Sequence, residues 1–406
     1  MTRWMVAGLL LPFRALAAPD KDVQSIVDGS AGFGSRLYSK LRGRDGNLFF
    51  SPASISWALG MTHAGAREAT ARQMARLLGL RLPAARLHQA HQRLLAALRS
   101  KGKSGVELAV ANALWGQRGH PFLPGYRELI KASYGGQLEQ VDFKKDPVGA
   151  RATINSWVSK KTRGKIDGLL PEGNLDPLTR LVLANAVYFK GIWTFTFPKK
   201  DTRDEPFRLG AGRRVTVPLM RLTGSFRYQG NRAFQVLELP YRGGELGMVI
   251  LLPRKVGRFA TVERYLQPAP LRRLLRGLPR RKVRVQLPRF SISQPLELTS
   301  LLKGLGMRDA FTSGRADLSG MDSTRELYLS ATLHRAWVEV NEEGTEAAAA
   351  TAVIHAAEGE SEHDPPLFRA DRPFLFLIRH RPTGAVLFVG RLSNPGGAVQ
   401  AARQGK

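Results

Sequence analysis

The sequence predicts a single α+β domain, and three observations predict it. Apolar residues recur with helical spacing through the first part of the chain. Strand signals take over from about residue 180, as unbroken apolar runs and as strict alternation. No internal repeat, low-complexity tract or Pro/Gly/Ser-rich linker divides the 406 residues. With 43% apolar and 23% charged residues the chain can bury a large core.

Taken in order, Arg3 precedes an apolar run over 4–13 and the exit Ala15-Leu16-Ala17, the pattern of a secretory signal peptide over residues 1–17. That run is shorter than the ~20 residues a spanning helix needs. The domain is placed at 18–395, with a C-terminal extension over 396–406, and the protein is expected to be exported to an extracellular or periplasmic space, without a membrane anchor, as a monomer. Met74, Leu77 and Leu78 share one helix face, and Leu87, Ala90, Leu94, Leu95 and Leu98 share another. Asp146-Pro147 is a cap and first-turn proline for a helix with Ile154, Trp157 and Val158 inward. Residues 181–189 and 248–252 read as strands covered on both faces, and Val283, Val285 and Leu287 alternate with Arg284 and Gln286. Residues 374–378 and 385–389 flank the turn Pro382-Thr383-Gly384 and read as a buried hairpin. A strand with His334, Ala336, Val338 and Val340 on one face leads into residues 342–366, almost free of bulky apolar side chains. Loops beyond ~12–15 residues are uncommon in compact domains and usually carry function.

The absence of cysteine excludes disulfides, Cys-ligated metals and thiol catalysis. No G-x-S-x-G, H-E-x-x-H or G-x-G-x-x-G occurs. Gly102-Lys103-Ser104 imitates the end of a phosphate loop, but the glycine needed five positions earlier is Ala97. His88 and His91 have no third ligand nearby in the sequence, so no metal site is expected. An enzyme is therefore the weak reading. The formal charge of +29 favours polyanions as company.

Several long motifs, in order and at consistent spacing, resemble the serpin family of serine protease inhibitors across about residues 26–395. They are Asn47-Leu48-Phe49-Phe50-Ser51-Pro52-Ala53-Ser54, Ile154-Asn155-Ser156-Trp157-Val158, Asn185-Ala186-Val187-Tyr188-Phe189-Lys190-Gly191-Ile192-Trp193 and Leu287-Pro288-Arg289-Phe290. Ala316-Asp317-Leu318-Ser319-Gly320-Met321, the segment from Glu342 to Thr351, Ala370-Asp371-Arg372-Pro373-Phe374-Leu375-Phe376 and Phe388-Val389-Gly390-Arg391 complete the set. The resemblance implies three β-sheets, eight or nine helices and an exposed reactive-centre loop over about 342–366. It also implies a suicide-substrate mechanism. A protease's serine forms an acyl-enzyme with the loop, and the cut loop then enters the central sheet and distorts the enzyme before deacylation.

The hinge chemistry suits this independently of the family. As an inserted strand the segment buries Thr345, Ala347, Ala349 and Thr351 on one side, all small enough to pass between neighbours, while Glu346 faces water. Gly344 supplies the pivot after Glu342. The resemblance assigns Ser51, Ser54, Asn185 and His334 to a hydrogen-bonded cluster beneath the opening strands. It assigns Trp193 and Arg289 to the mouth that first receives the loop, with an ion pair from Arg289 to Glu342. By the spacing that the resemblance implies, counting from the hinge selects Glu358-Gly359 as the scissile bond; a one-residue shift selects Ala357, and the family's spacing back from Pro373 selects Glu362. The first would suit an acid-preferring protease and Ala357 an elastase-like or subtilisin-like one. No cofactor is required, but a polyanion activator has two basic stretches to bind: Arg86, Arg93, Arg99, Lys101 and Lys103, and Arg272, Arg273, Arg276, Arg280, Arg281, Lys282 and Arg284. A non-inhibitory binder of heparin-like glycan or nucleic acid is the alternative function.

Overall fold

The protein is described here from a computed structural model, which describes residues 20–98, 105–345 and 364–396. Among them are nine α-helices and fifteen strands. The helix Lys21–Leu41 starts where Asp20 accepts hydrogen bonds from the amides of Asp22 and Val23. The helix Pro52–Gly65 is capped by Ser51 and threads the middle of the molecule, buried nearly all round. In Glu68–Leu78 the expected Met74, Leu77 and Leu78 are buried, and in Ala84–Leu98 so are Leu87, Ala90 and Leu94. Leu95 and Leu98 are only partly covered. Asp146 caps Pro147–Lys161, whose Ile154 and Val158 are buried, whereas Trp157 stays half-exposed with its ring edge-on to Trp115.

The central sheet runs in the order Phe290–Glu297, Leu329–Val340, Leu181–Ile192, Val106–Gln117, Gln137–Val141. The middle contact, between Leu329–Val340 and Leu181–Ile192, is parallel over Leu329 to Trp337. By hydrogen bonding the other nine strands form one continuous sheet. The 18-residue strand Arg213–Gly230 belongs to two layers of it. Its final residues pair with Phe234–Pro240, and its earlier part pairs with Arg203–Gly210 and Arg280–Pro288. Divided at that strand, the architecture has three sheets, as expected. Val283, Val285 and Leu287 are buried with Arg284 exposed, and the hairpin spans Phe374–His380 and Val386–Leu392.

One charged group is buried deep in the larger sheet. Glu238, 2% exposed, accepts hydrogen bonds from Arg379 at 3.0 and 2.9 Å on a strand two places away. Gly247 on the strand between leaves the room; a Cβ there would lie 3.0 Å from the Glu238 carboxylate. Removing one member of a buried pair leaves the other charge uncompensated. Glu238→Ala should therefore lower stability by about 3–5 kcal/mol, read as a lower urea-unfolding midpoint, and an unchanged midpoint would contradict the pairing.

Candidate functional site

The parallel contact in the central sheet has a strand-wide opening at one end. Pairing between Leu329–Val340 and Leu181–Ile192 runs only to Trp337 and Tyr188. Beyond that point the chain turns at residues 341–343 and comes back as Gly344–Thr345, antiparallel to Ile192 and Gly191. The expectation of a loop free of the sheet from Glu342 onward is corrected here, because its first two strand residues are already in place. Small size permits this: a Cβ on Gly344 would lie 2.0 Å from the Gly191 carbonyl oxygen, so only glycine can approach. Thr345 is fully buried, and its hydroxyl shares a 2.9 Å hydrogen bond with Tyr241, whose phenol is pushed up in pKa by burial. Ala347, Ala349, Thr351 and the expected bait residues Ala357, Glu358, Gly359 and Glu362 lie outside the described residues.

The turn before the hinge is held by groups from three directions. Asn341 accepts through its side chain from the amides of Glu343 and Gly344. Trp193 stacks on Tyr241 at 4.5 Å between ring centroids and donates its indole N–H to the Asn341 carbonyl at 3.0 Å. Glu342, 2% exposed, receives the Arg289 guanidinium at 2.7 and 2.8 Å from Nε and the Thr202 hydroxyl at 2.6 Å. Burial raises the Glu342 carboxyl, but the Arg289 and Thr202 hydrogen bonds outweigh it and hold the group below its ordinary value. Lys199 pairs with Glu343 at 2.7 Å. Lys199, Arg289, Asn341, Glu342 and Glu343, with Glu339, line a cleft of about 390 Å³ at the mouth of the seam. Sequence reasoning found Trp193, Arg289 and Glu342 but missed Lys199, Thr202 and Tyr241, which come from separate stretches with no local signal.

Midway down the seam the four cluster residues meet. His334 and Asn185 are register partners across the parallel contact. His334 Nε2 accepts from the Ser51 amide at 3.1 Å, while its Nδ1 is bonded to the Asn185 carbonyl oxygen. This assigns a neutral ring protonated at Nδ1. The Asn185 amide donates to Ser54 Oγ at 2.6 Å, and the Ser51 hydroxyl donates to the Leu387 carbonyl at 2.6 Å. The network also contains Asn112, directly opposite Asn185 and bonded to it, which the sequence reading missed. The signal was present: Val110-Ala111-Asn112-Ala113-Leu114 repeats the lone-polar pattern of Leu183-Ala184-Asn185-Ala186-Val187.

The far end of the loop is anchored on the strand Arg280–Pro288. The Arg284 amide donates to the Pro366 carbonyl at 3.0 Å, and its side chain reaches the Pro365 carbonyl at 3.2 Å and Asp364 at 3.6 Å. The two basic stretches fare differently. Arg86 is paired with Asp22 at 2.5 Å and Arg93 with Asp20 at 2.7 Å; Arg99, Lys101 and Lys103 lie outside the described residues. Arg272 is paired with Asp28. Arg273, Arg276, Arg280, Arg281 and Lys282 are exposed, with no side-chain partner among the described residues. Among those residues, too, no group of three His, Cys, Asp or Glu could hold a metal ion, and no helix is long and apolar enough to cross a membrane.

Comparison with known proteins gives a consistent result. The family model for serpin (serine protease inhibitor) matches residues 28–395. A serpin-like protein of Thermococcus kodakarensis is 40% identical over 91% of this chain and 86% of its own. The leukocyte elastase inhibitor of Bos taurus is 44% identical, covering 86% of this chain and 93% of its own. Among solved structures, human thyroxine-binding globulin superposes with a TM-score of 0.84 at 31% identity, over 92% of this chain and 99% of that one.

The cluster ties the seam to pH. Burial lowers the His334 pKa to about 3, so the folded state keeps the ring neutral while the unfolded chain protonates it near pH 6.5. Its stabilising share is complete above pH 6.5 and is lost progressively as pH falls toward 3. His63, His91 and His380 are lowered by burial too, to about 4, 3 and 4. Between pH 7 and pH 5, His334→Gln should lose less stability than the parent protein, by about 2 kcal/mol. Urea unfolding at the two pH values checks this, and equal losses would contradict it.

Proposed function

The chain belongs to the serpin family, and from that premise we propose that it is an exported inhibitor that traps serine proteases by inserting its cut loop into the central sheet. The observation that carries this reading is the hinge already seated in the seam, with Thr345 inside and Gly344 against Gly191. An inserted strand is antiparallel to both neighbours and so replaces the parallel contact with two antiparallel ones. About ten further residues, at roughly 0.5–1.5 kcal/mol per net hydrogen bond plus burial, supply on the order of 10 kcal/mol. That is comparable with the ~5–15 kcal/mol that holds a folded protease together. The basic start, apolar run and Ala15-Leu16-Ala17 exit within residues 1–17 support the export half of this reading.

The register also favours the hinge-side count over Glu362. Thr345 faces Gly191, so ten residues further along each chain His355 would face Leu181, the far end of that strand. Glu358 would then trail the sheet by only three residues, about 10 Å at strand rise, whereas Glu362 would leave about 24 Å of slack. A short tether presses the acylated enzyme against the far pole; a long one lets it hang free. The same register would set Thr351 opposite Asn185, giving the polar cluster a hydroxyl where insertion separates Asn185 from His334. The alternative, a non-inhibitory polyanion binder, is weakened to the extent that two of its expected ligands, Arg86 and Arg93, are paired with Asp22 and Asp20.

Incubation with subtilisin, elastase and a glutamate-specific endopeptidase should give an SDS-resistant complex with one of them and a released fragment beginning at Gly359. Thr345→Arg should be cut at the same bond with less than about one-tenth of the complex, because a cation would enter the Tyr241 pocket. Cleavage by all three without complex would overturn the reading.

A further inference from the structure

We propose that the exposed end of the strand Arg280–Pro288 is a docking surface for an acidic rim beside the target protease's active site, an inference that rests on the trapping function above. The surface carries unmatched charge beside the downstream anchor of the loop. In the same layer Arg221 and Arg369 are matched to Glu205, and Arg208, Arg369 and Arg372 to Asp371, whereas Arg203, Arg213 and Arg214 also have no ion pair among the described residues. Arg280, Arg281 and Lys282 are exposed and their side chains have no partner among the described residues. Their cross-strand neighbours supply no acid, since Arg280 lies opposite Arg227, Arg281 opposite Phe226 and Lys282 opposite Ser225. Three adjacent cations repel one another, and an anionic surface brought against them relieves that repulsion.

Its position decides which anion. Arg284, on the same strand, holds the downstream anchor of the loop at Asp364, Pro365 and Pro366. Lys282 and Arg280 lie two and four residues further along, about 7 and 13 Å at strand rise. A standard interface covers about 800 Å² on each partner, a disc of about 16 Å radius. An enzyme gripping the bait just upstream of Asp364 therefore covers these cations. They face its leaving-group side, because the anchored segment is the part of the loop that follows the cut. An enzyme with basic residues there is repelled, and one with acidic residues is steered in.

The anchor also fixes when the contact acts. After cleavage the downstream segment stays with the strand Leu367–Arg369, while the acylated enzyme departs with the hinge side. The cations therefore govern encounter and leave the trapped complex untouched. Charge at this surface should change the association rate and its salt dependence, without changing the fraction of encounters that end in a complex.

The test uses one protease found to form the SDS-resistant complex, taken in its native form and after succinylation of its lysines, which makes its surface acidic around the same active site. The parent protein should trap the succinylated enzyme at least tenfold faster than the native one at low salt, with the gap closing above about 0.3 M salt. In the variant carrying Arg280→Ser, Arg281→Ser and Lys282→Ser the gap should shrink to under threefold, with unchanged stoichiometry of inhibition and unchanged melting temperature. An equal gap in parent and variant would overturn the docking surface while leaving the trapping function intact. So would heparin binding lost in the variant with no rate gap in the parent, which would assign the cations to a polyanion. Failure of any protease to form a complex would remove the function and this surface with it.

Discussion

The parallel contact between Leu181–Ile192 and Leu329–Val340 is the constraint on which the rest of the molecule depends. A parallel pair can be stable, but here an antiparallel strand of the same chain is already poised at one end of it. On the proposed reading, the contact is a place where the fold falls short of the hydrogen bonding its own sequence could reach. What keeps it closed is local: the His334–Asn185 bond in the middle, with Ser51, Ser54 and Asn112 completing each polar group's partners. Buried polar atoms are costly to leave unpaired. On the proposed reading, the strands would part only when something else can satisfy those groups, and a threonine on the incoming strand would be suited to do so.

The mouth of the seam works by a different balance. Glu342 and Glu343 are held by Arg289, Thr202 and Lys199, and Trp193 and Tyr241 build an aromatic wall against which Thr345 sits. In the proposed trapping mechanism, seating Gly344 and Thr345 in advance would remove the nucleation step of a new strand, and the same contacts would limit how much of the loop is presented.

Much of this was legible in the sequence wherever a physical requirement left a local mark. The alternation Val283, Val285, Leu287 marked a one-sided strand, and the run from Leu181 marked a strand covered on both faces. The small-residue phase of the hinge marked a segment able to be buried as a strand. The helix Pro52–Gly65 left no stripe because it is buried on all sides, and periodicity reports only one-sided burial. The strand Arg213–Gly230 was missed because its charged and apolar residues follow two layers in turn. Lys199, Thr202 and Tyr241 join the site through tertiary approach alone. The basic stretches looked equivalent by composition, and only the fold shows Arg86 and Arg93 neutralised by the start of the first helix while Arg280, Arg281 and Lys282 stay unmatched.

If the central sheet is held short of its most stable form, cutting the loop must make the protein more stable, the reverse of what a nick does to an ordinary domain. Thermal unfolding before and after cleavage of the loop by catalytic protease measures this directly. With on the order of 10 kcal/mol released and an unfolding entropy near 2.1 cal/mol/K per residue, the melting temperature should rise by about 10–15 °C. An unchanged or lower melting temperature in the cleaved protein would contradict a seam built to accept its own loop.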